Sequence, residues 1–238
     1  MKAFSAALPP LRLLCAALAA AALAGGPAPR AGCFPEDGAM ASPVDTIQLP
    51  AVPAKGGVSI EEAIWLRRSV RGFSEESPSI DAVARLLWAA QGITDAKNVL
   101  RSAPSAGATY PLEVFLATGQ YVARYVPDRH CLVVTMREDA RKALAAAALE
   151  QSWFEKAPLV FVFSAVVKRT ADRYDERANL YVPIEVGCAS ENLMLEAAAL
   201  GLGSTAVGAF SEKEVSRTLR LPKGWDPYLI VPVGFPSK

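Results

Sequence analysis

The chain is 238 residues long and nearly balanced in charge, with 25 lysine and arginine against 24 aspartate and glutamate residues. That balance leaves no electrostatic footprint for nucleic acid. A single histidine, His130, and four scattered cysteines without a C-x-x-C argue against a zinc site, and no G-x-S-x-G elbow marks a serine hydrolase.

Met1–Ala24 has a basic start (Lys2, Arg12), then an apolar run from Leu13 to Ala24, with Ala22 and Ala24 at the two positions a signal peptidase reads. The run is about a dozen residues, short of the roughly 20 that a spanning helix needs. Residues 1–24 therefore read as an export signal, which implies a periplasmic or cell-envelope location. Its removal takes Lys2 and Arg12 and no acid, moving the formal charge from +1 to −1. Ala31-Gly32-Cys33 resembles the end of a lipoprotein cleavage site, although Arg30 stands where an apolar residue is expected. A disulfide would suit export, but Cys33, Cys131 and Cys188 leave one thiol over and their spacing selects no pair.

Residues 25–57, rich in Pro, Gly and Ala, read as a linker or wrapping arm, and one domain of 58–238 follows. Ser59-Ile60-Glu61-Glu62 is a capping box opening a helix that runs to about Arg68. A second helix starts near Ser79, with Ile80, Val83, Leu87 and Ala90 at helical spacing and Gly92 as its stop. Glu113–Thr118 and Cys131–Thr135 read as strands, and Arg137 to about Glu150 as an Ala-rich helix. Leu159–Val167, apolar on both faces, suits a central strand covered on both sides. A long helix from about Pro183 to Leu200, a strand Ser204–Ala209, a helix capped by Ser211 and a last strand Tyr228–Gly234 complete the order. Helices and strands interleave around one sheet, which makes the class α+β.

Three segments carry chemistry. Arg67-Arg68-Ser69-Val70-Arg71-Gly72-Phe73 lies at and just past the end of the first helix. Arginines there can offset the helix dipole, or, with the serine, supply the forks and hydroxyl that hold a phosphate. Ser102-Ala103-Pro104-Ser105-Ala106-Gly107-Ala108-Thr109-Tyr110-Pro111 is a small, hydroxylated loop that lets backbone approach a flat ligand, or simply connects two elements. Gly201-Leu202-Gly203-Ser204-Thr205-Ala206-Val207-Gly208 runs helix, glycines, strand, the reverse of a dinucleotide fingerprint.

Taken together and in this order, these segments resemble the nitroreductase-like flavoproteins, and within them the SagB-type dehydrogenase branch that includes azoline oxidases. The resemblance runs from about Val58 to the C-terminus through SIEEAIWLRRSVRGF, SIDAVARLLWAAQGIT, RSAPSAGATYPLEVF, ENLMLEAAALGLGSTAVGAF and LIVPVGFP. It implies an α+β, nitroreductase-like fold, a central mixed sheet flanked by helices, in a homodimer that shares two FMN sites across its interface. Arg67, Arg68, Ser69 and Arg71 match the segment that grips the FMN phosphate, ribityl chain and pyrimidine edge. Pro104, Ser105 and Ala106 match the loop that reaches the flavin from the partner subunit. Gln151 matches a polar residue bonded to the flavin ring, and Val207 and Gly208 match the strand end beside the isoalloxazine.

The sequence departs from the pattern at two places. Val233-Gly234-Phe235-Pro236 lacks the arginine that often joins the phosphate clamp, and Gly187-Cys188 stands where the branch commonly has Gly-His. The Lys-Tyr base pair of the azoline oxidases has its nearest counterpart in Arg173-Tyr174. Arginine stays protonated, which leaves Tyr174 as the candidate catalytic residue; its other reading is an interface aromatic. His130, in a turn before a strand, reads as a surface residue. The function implied is an FMN-dependent oxidoreductase that moves hydride through flavin N5, acting on a small molecule or peptide, with NAD(P)H or a quinone as electron partner. The other reading is a non-catalytic envelope protein that keeps the fold to bind a partner or ligand.

Overall fold

The computed structural model describes residues 45–237; the segment read as an export signal, Cys33 and the arm up to residue 44 lie outside the described residues. Order begins earlier than the domain boundary at residue 58. Thr46–Gln48 forms strand β1, which pairs antiparallel with β6 (Cys131–Met136). His130 fastens this arm. Its Nε2 donates to the Pro50 carbonyl at 2.9 Å, and its Nδ1 takes the Tyr125 hydroxyl at 2.9 Å. A carbonyl can only accept, so Nε2 carries a proton. His130 is therefore a half-buried buckle and not the loose surface residue its turn suggested. Cys131 and Cys188 are both free thiols.

The sheet has seven strands in the order β1-β6-β5-β4-β7-β9-β8, with β4 at Leu112–Ala117, β5 at Val122–Val126, β7 at Leu159–Ala165, β8 at Gly203–Ser204 and β9 at Asp226–Gly234. Every ladder in it is antiparallel, which corrects the mixed sheet expected. Among the described residues the parallel pairing is an isolated bridge between Ser69 and Ser204. The unbroken apolar run of β7 reflects cover on both faces, which strand direction does not dictate. Leu159, Phe161 and Phe163 pack into one core with α2 (Ile80–Gln91) and α5 (Ala178–Ala199). Val160 and Val162 pack into the other, with α3 (Arg141–Ala147) and α6 (Glu212–Leu219). All seven residues of β7 are buried, and truncating Phe161 or Phe163 would forfeit about 3–5 kcal/mol.

The serine caps form where the sequence puts them. Ser59 accepts from Glu62 N at 3.2 Å, Ser79 from Ala82 N at 3.2 Å and Ser211 from Glu214 N at 3.4 Å. Helix α1, however, is only Ile60–Leu66, because Arg67 turns out of helical geometry at φ −56°, ψ 122°. The arginine-rich segment is thereby extended and not helical. Helix α5 starts at Ala178, five residues before Pro183, which is exposed and has no N–H to give Asn179. Elements absent from the sequence reading are β1, β5, the hairpin of β2 (Ile93–Asp95) and β3 (Leu100–Arg101), and α4 (Val167–Tyr174).

Helix α1 packs on α5 yet buries only Ala63. Trp65 is 77% exposed and Ile60, Ile64 and Leu66 are exposed with it, as are Leu180 and Ile184 on α5. An apolar surface of this kind marks a docking face.

Candidate active site

Extended geometry past α1 ties the arginine segment to the sheet. Val70 N donates to Ser204 O at 3.0 Å, and Thr205 Oγ1 donates to Val70 O at 2.6 Å. Ser74 N donates to Phe235 O and Ser237 N to Gly72 O, so the C-terminal tail flanks the segment on the other side. With its backbone held, the segment presents its side chains outward. Arg68 and Arg71 are exposed, Arg68 bonding only the neighbouring Arg67 carbonyl at 2.7 Å and Arg71 stacking on the Trp153 ring at 5.9 Å. Ser69 is exposed and, among the described residues, its hydroxyl has no partner. Arg67 differs: its Nε lies 3.5 Å from Glu191 Oε1 on α5, which spends part of its charge inside the chain. The position expected to supply a further arginine is Phe235, half-buried against the core.

Beside this cationic segment lie two more of the expected residues. Val207 is buried and exchanges both backbone bonds with Ile230 of β9, at 2.8 and 3.0 Å. Gly208 follows it into solvent, and a Cβ there meets no atom within 4 Å, so the chain's own packing does not demand glycine. Gln151 Nε2 donates to Ala148 O at 2.9 Å and Ala209 O at 3.3 Å, which leaves its Oε1 as an acceptor next to the Gly208 ledge. The structure thus gathers Arg68, Ser69, Arg71, Gln151, Val207 and Gly208 along one end of the sheet.

Pro104, Ser105 and Ala106 belong to a different neighbourhood. With Tyr181, Ile184, Glu185 and Cys188 of α5 they line a cleft of about 260 Å³. Gly107 holds φ +58°, and a Cβ there would sit 2.5 Å from the Tyr174 hydroxyl, which explains the glycine. Arg173 Nη1 donates to Gly107 O at 3.0 Å, and Tyr174 meets Tyr181 edge-on at 5.3 Å. Tyr174 therefore braces the loop, and its hydroxyl has no hydrogen-bond partner among the described residues.

Glu185 was missed from sequence. It is 4% exposed, and burial pushes its carboxyl up to about 7, against smaller opposing pulls from the Ser105 hydroxyl and the Arg101 guanidinium. A lone carboxylate inside Tyr181-Val182-Pro183-Ile184-Glu185-Val186 was the available signal. A second cleft of about 240 Å³, between α3 and α6, is lined by alanines, Thr218 and the Glu214–Arg217 ion pair. It offers no comparable chemistry.

The comparisons agree with this architecture. Residues 65–235 match the family model described as the Nitroreductase family. A relative from Methanocaldococcus jannaschii, named as a nitroreductase, is 36% identical over 194 residues, covering 79% of this chain and 95% of that one. A Ralstonia eutropha structure, also named as a nitroreductase, superposes with a TM-score of 0.73 at 25% identity, covering 81% of this chain and 90% of that one. The NADPH:FMN oxidoreductase of Vibrio harveyi, solved with NAD+, shares the fold at a TM-score of 0.56 and 20% identity, covering 75% and 69% of the two chains. The chain belongs to the nitroreductase family, and its activity class is that of an oxidoreductase.

Proposed function

We propose that this oxidoreductase uses FMN, works as a homodimer and is exported to the periplasm or cell envelope. One observation carries the cofactor reading. Two exposed guanidinium groups and a free hydroxyl, Arg68, Ser69 and Arg71, stand on a backbone fixed by the sheet, beside the open Gly208 ledge. That donor set fits a phosphate monoester, which helix amides would otherwise bind. The ledge and the Gln151 acceptor suit the edge of a flat ring. Arg67 contributes less, because Glu191 already holds it.

Bound flavin would supply hydride chemistry at N5. The protein's own residues would bind, orient and polarise it: Arg71, exposed beside the Trp153 ring, would stabilise negative charge on the ring edge. The electron partner is NAD(P)H or a quinone; the Vibrio harveyi protein's name favours a nicotinamide. The SagB-type branch rests on the segment order given above. Dimerisation is supported by the apolar face of α1 and α5, and export by the pattern of residues 1–24.

The test is spectroscopic. The purified protein is expected to be yellow, with flavin absorbance near one per chain, and Arg68→Ala with Ser69→Ala is expected to lose flavin while keeping its circular dichroism. Each lost hydrogen bond to a charged phosphate is worth about 1.5–3 kcal/mol, so the double variant should bind at least tenfold more weakly. Unchanged FMN affinity in the double variant would refute the assignment.

A further inference from the structure

Between Ser105 and β4 the chain turns left-handed at Gly107, Ala108 and Tyr110, with φ of +58°, +55° and +45°. Glycine accepts that geometry freely, but alanine and tyrosine are strained in it, and strain persists only where the surroundings impose it. Part of the restraint is internal. Tyr110 N donates to Ser105 Oγ at 2.9 Å, Ala108 N to Ser105 O at 3.1 Å and Thr109 N to Ala106 O at 3.3 Å. These bonds close the turn on itself. They do not fasten it to the body of the protein.

Helix α4 supplies the fastening. Arg169 Nη1 donates to Tyr110 O at 3.0 Å, Thr170 Oγ1 shares a hydrogen bond with Thr109 Oγ1 at 2.9 Å, and Arg173 Nη1 donates to Gly107 O at 3.0 Å. Arg169 and Arg173, four residues apart, share one helix face. The helix buries only Thr170, so these polar contacts couple it to the turn. Arg169 has a second engagement: its Nη2 donates to Glu113 Oε1 at 2.6 Å. Glu113 is 6% exposed on β4, and its other oxygen accepts from Arg124 Nη1 at 2.9 Å. One planar fork therefore spans a carboxylate fixed in the sheet and the carbonyl of a strained residue, which a single ammonium head does not reproduce. From the other side the Arg101 guanidinium lies 4.4 Å from the Tyr110 ring centre.

We infer that Arg169 is a positioning residue: clamped to Glu113, it sets the Ser105–Tyr110 turn and thereby the Pro104–Ala106 backbone that meets the flavin ring. Its role rests on the flavin reading of that backbone, and Arg169 itself touches no reacting atom.

The test uses Arg169→Lys in the purified full-length protein, which keeps a positive charge beside Glu113 but has one head for two acceptors. Arg169→Met leaves the Tyr110 carbonyl without this donor and should lose more; either variant serves if the other does not fold. Hydrogen exchange at the Thr109 and Tyr110 amides should quicken about tenfold in Arg169→Lys, the equivalent of one charge-assisted bond, while Leu49 exchanges as in wild type. FMN and riboflavin are then titrated by flavin fluorescence. Because the turn meets the ring and not the phosphate, both should bind about tenfold more weakly, with their affinity ratio unchanged. Arg68→Ala with Ser69→Ala should instead collapse that ratio. His130→Ala, which loosens the chain elsewhere, measures what destabilisation alone does and should leave both flavin affinities intact. Wild-type exchange at Thr109 and Tyr110, wild-type flavin affinity in Arg169→Lys, or an equal flavin loss in His130→Ala overturns the inference. Wild-type protein that binds neither flavin refutes the flavin reading, and exchange then decides the clamp by itself.

Discussion

Replacing Glu185 with glutamine should stabilise the protein at alkaline pH and do progressively less as the solution is acidified. The carboxyl is raised from 4.5 to about 7 by burial. A raised acid binds more protons folded than unfolded between those two values, so stability falls as pH climbs through that window and is level above it. At about 1.36 kcal/mol per unit, the carboxylate's burial removes about 3 kcal/mol from the wild type by pH 8.5. Glutamine keeps the shape and a Ser105 acceptor but never ionises, so the variant escapes this loss. Urea unfolding followed by circular dichroism, at fixed protein concentration and at pH 5, 6, 7 and 8.5, measures the difference. The variant's advantage should grow by about 2.5 kcal/mol between pH 5 and pH 8.5. Other titrating groups cancel in that difference because both proteins carry them. A gap of constant size across the range would show that Glu185 is not held in a proton-favouring environment.

His130→Ala removes both ring bonds that tie Pro50 to Tyr125, and should lower stability by about 1–3 kcal/mol; hydrogen exchange should quicken at Leu49, whose N–H donates to His130 O at 3.2 Å. Protection at Leu49 equal to wild type would remove the buckle role. Trp65→Glu places a charge on the 77% exposed apolar face of α1 and should convert dimer to monomer in analytical ultracentrifugation, with flavin content falling in step. A dimer of undiminished stability would move the interface elsewhere.

Signals that act within one turn of chain were the legible ones. Each serine cap is a residue and its amide three positions on, and the stop at Gly92 is equally local. The α+β class and the covered β7 followed from periodicity alone. The direction of the ladders did not, since a strand buried on both faces has the same composition parallel or antiparallel. Strand β5 was lost because Ala123-Arg124-Tyr125 carries a charge that its pairing to Glu113, at 2.9 Å across the hairpin, and its place over the Trp225 ring make tolerable. Helix α4 is mostly polar, buries only Thr170 and leans on the loop before β4 through Arg169 and Arg173, a support that no periodicity announces. Glu185 escaped for a related reason. Its neighbours 84 and 80 positions earlier, Arg101 and Ser105, give it its character.

The same geometry bears on why two chains would be needed for one site. Along α5, Glu185 faces the cleft under Pro104 and Ser105, whereas Glu191 faces Arg67 of the cationic segment. Six residues of helix separate them by about 9 Å along the axis and about 240° around it. The cleft and the guanidinium set therefore leave α5 on different sides, with the exposed apolar residues of α1 and α5 close by. A flat molecule that engaged both sets would have to take one from each of two copies, and burying Trp65, Ile64 and Ile184 against a second chain would bring those copies together. On this reasoning the apolar face and the split site are one design. A substitution that abolishes the dimer should then empty the flavin site even with Arg68, Ser69 and Arg71 intact.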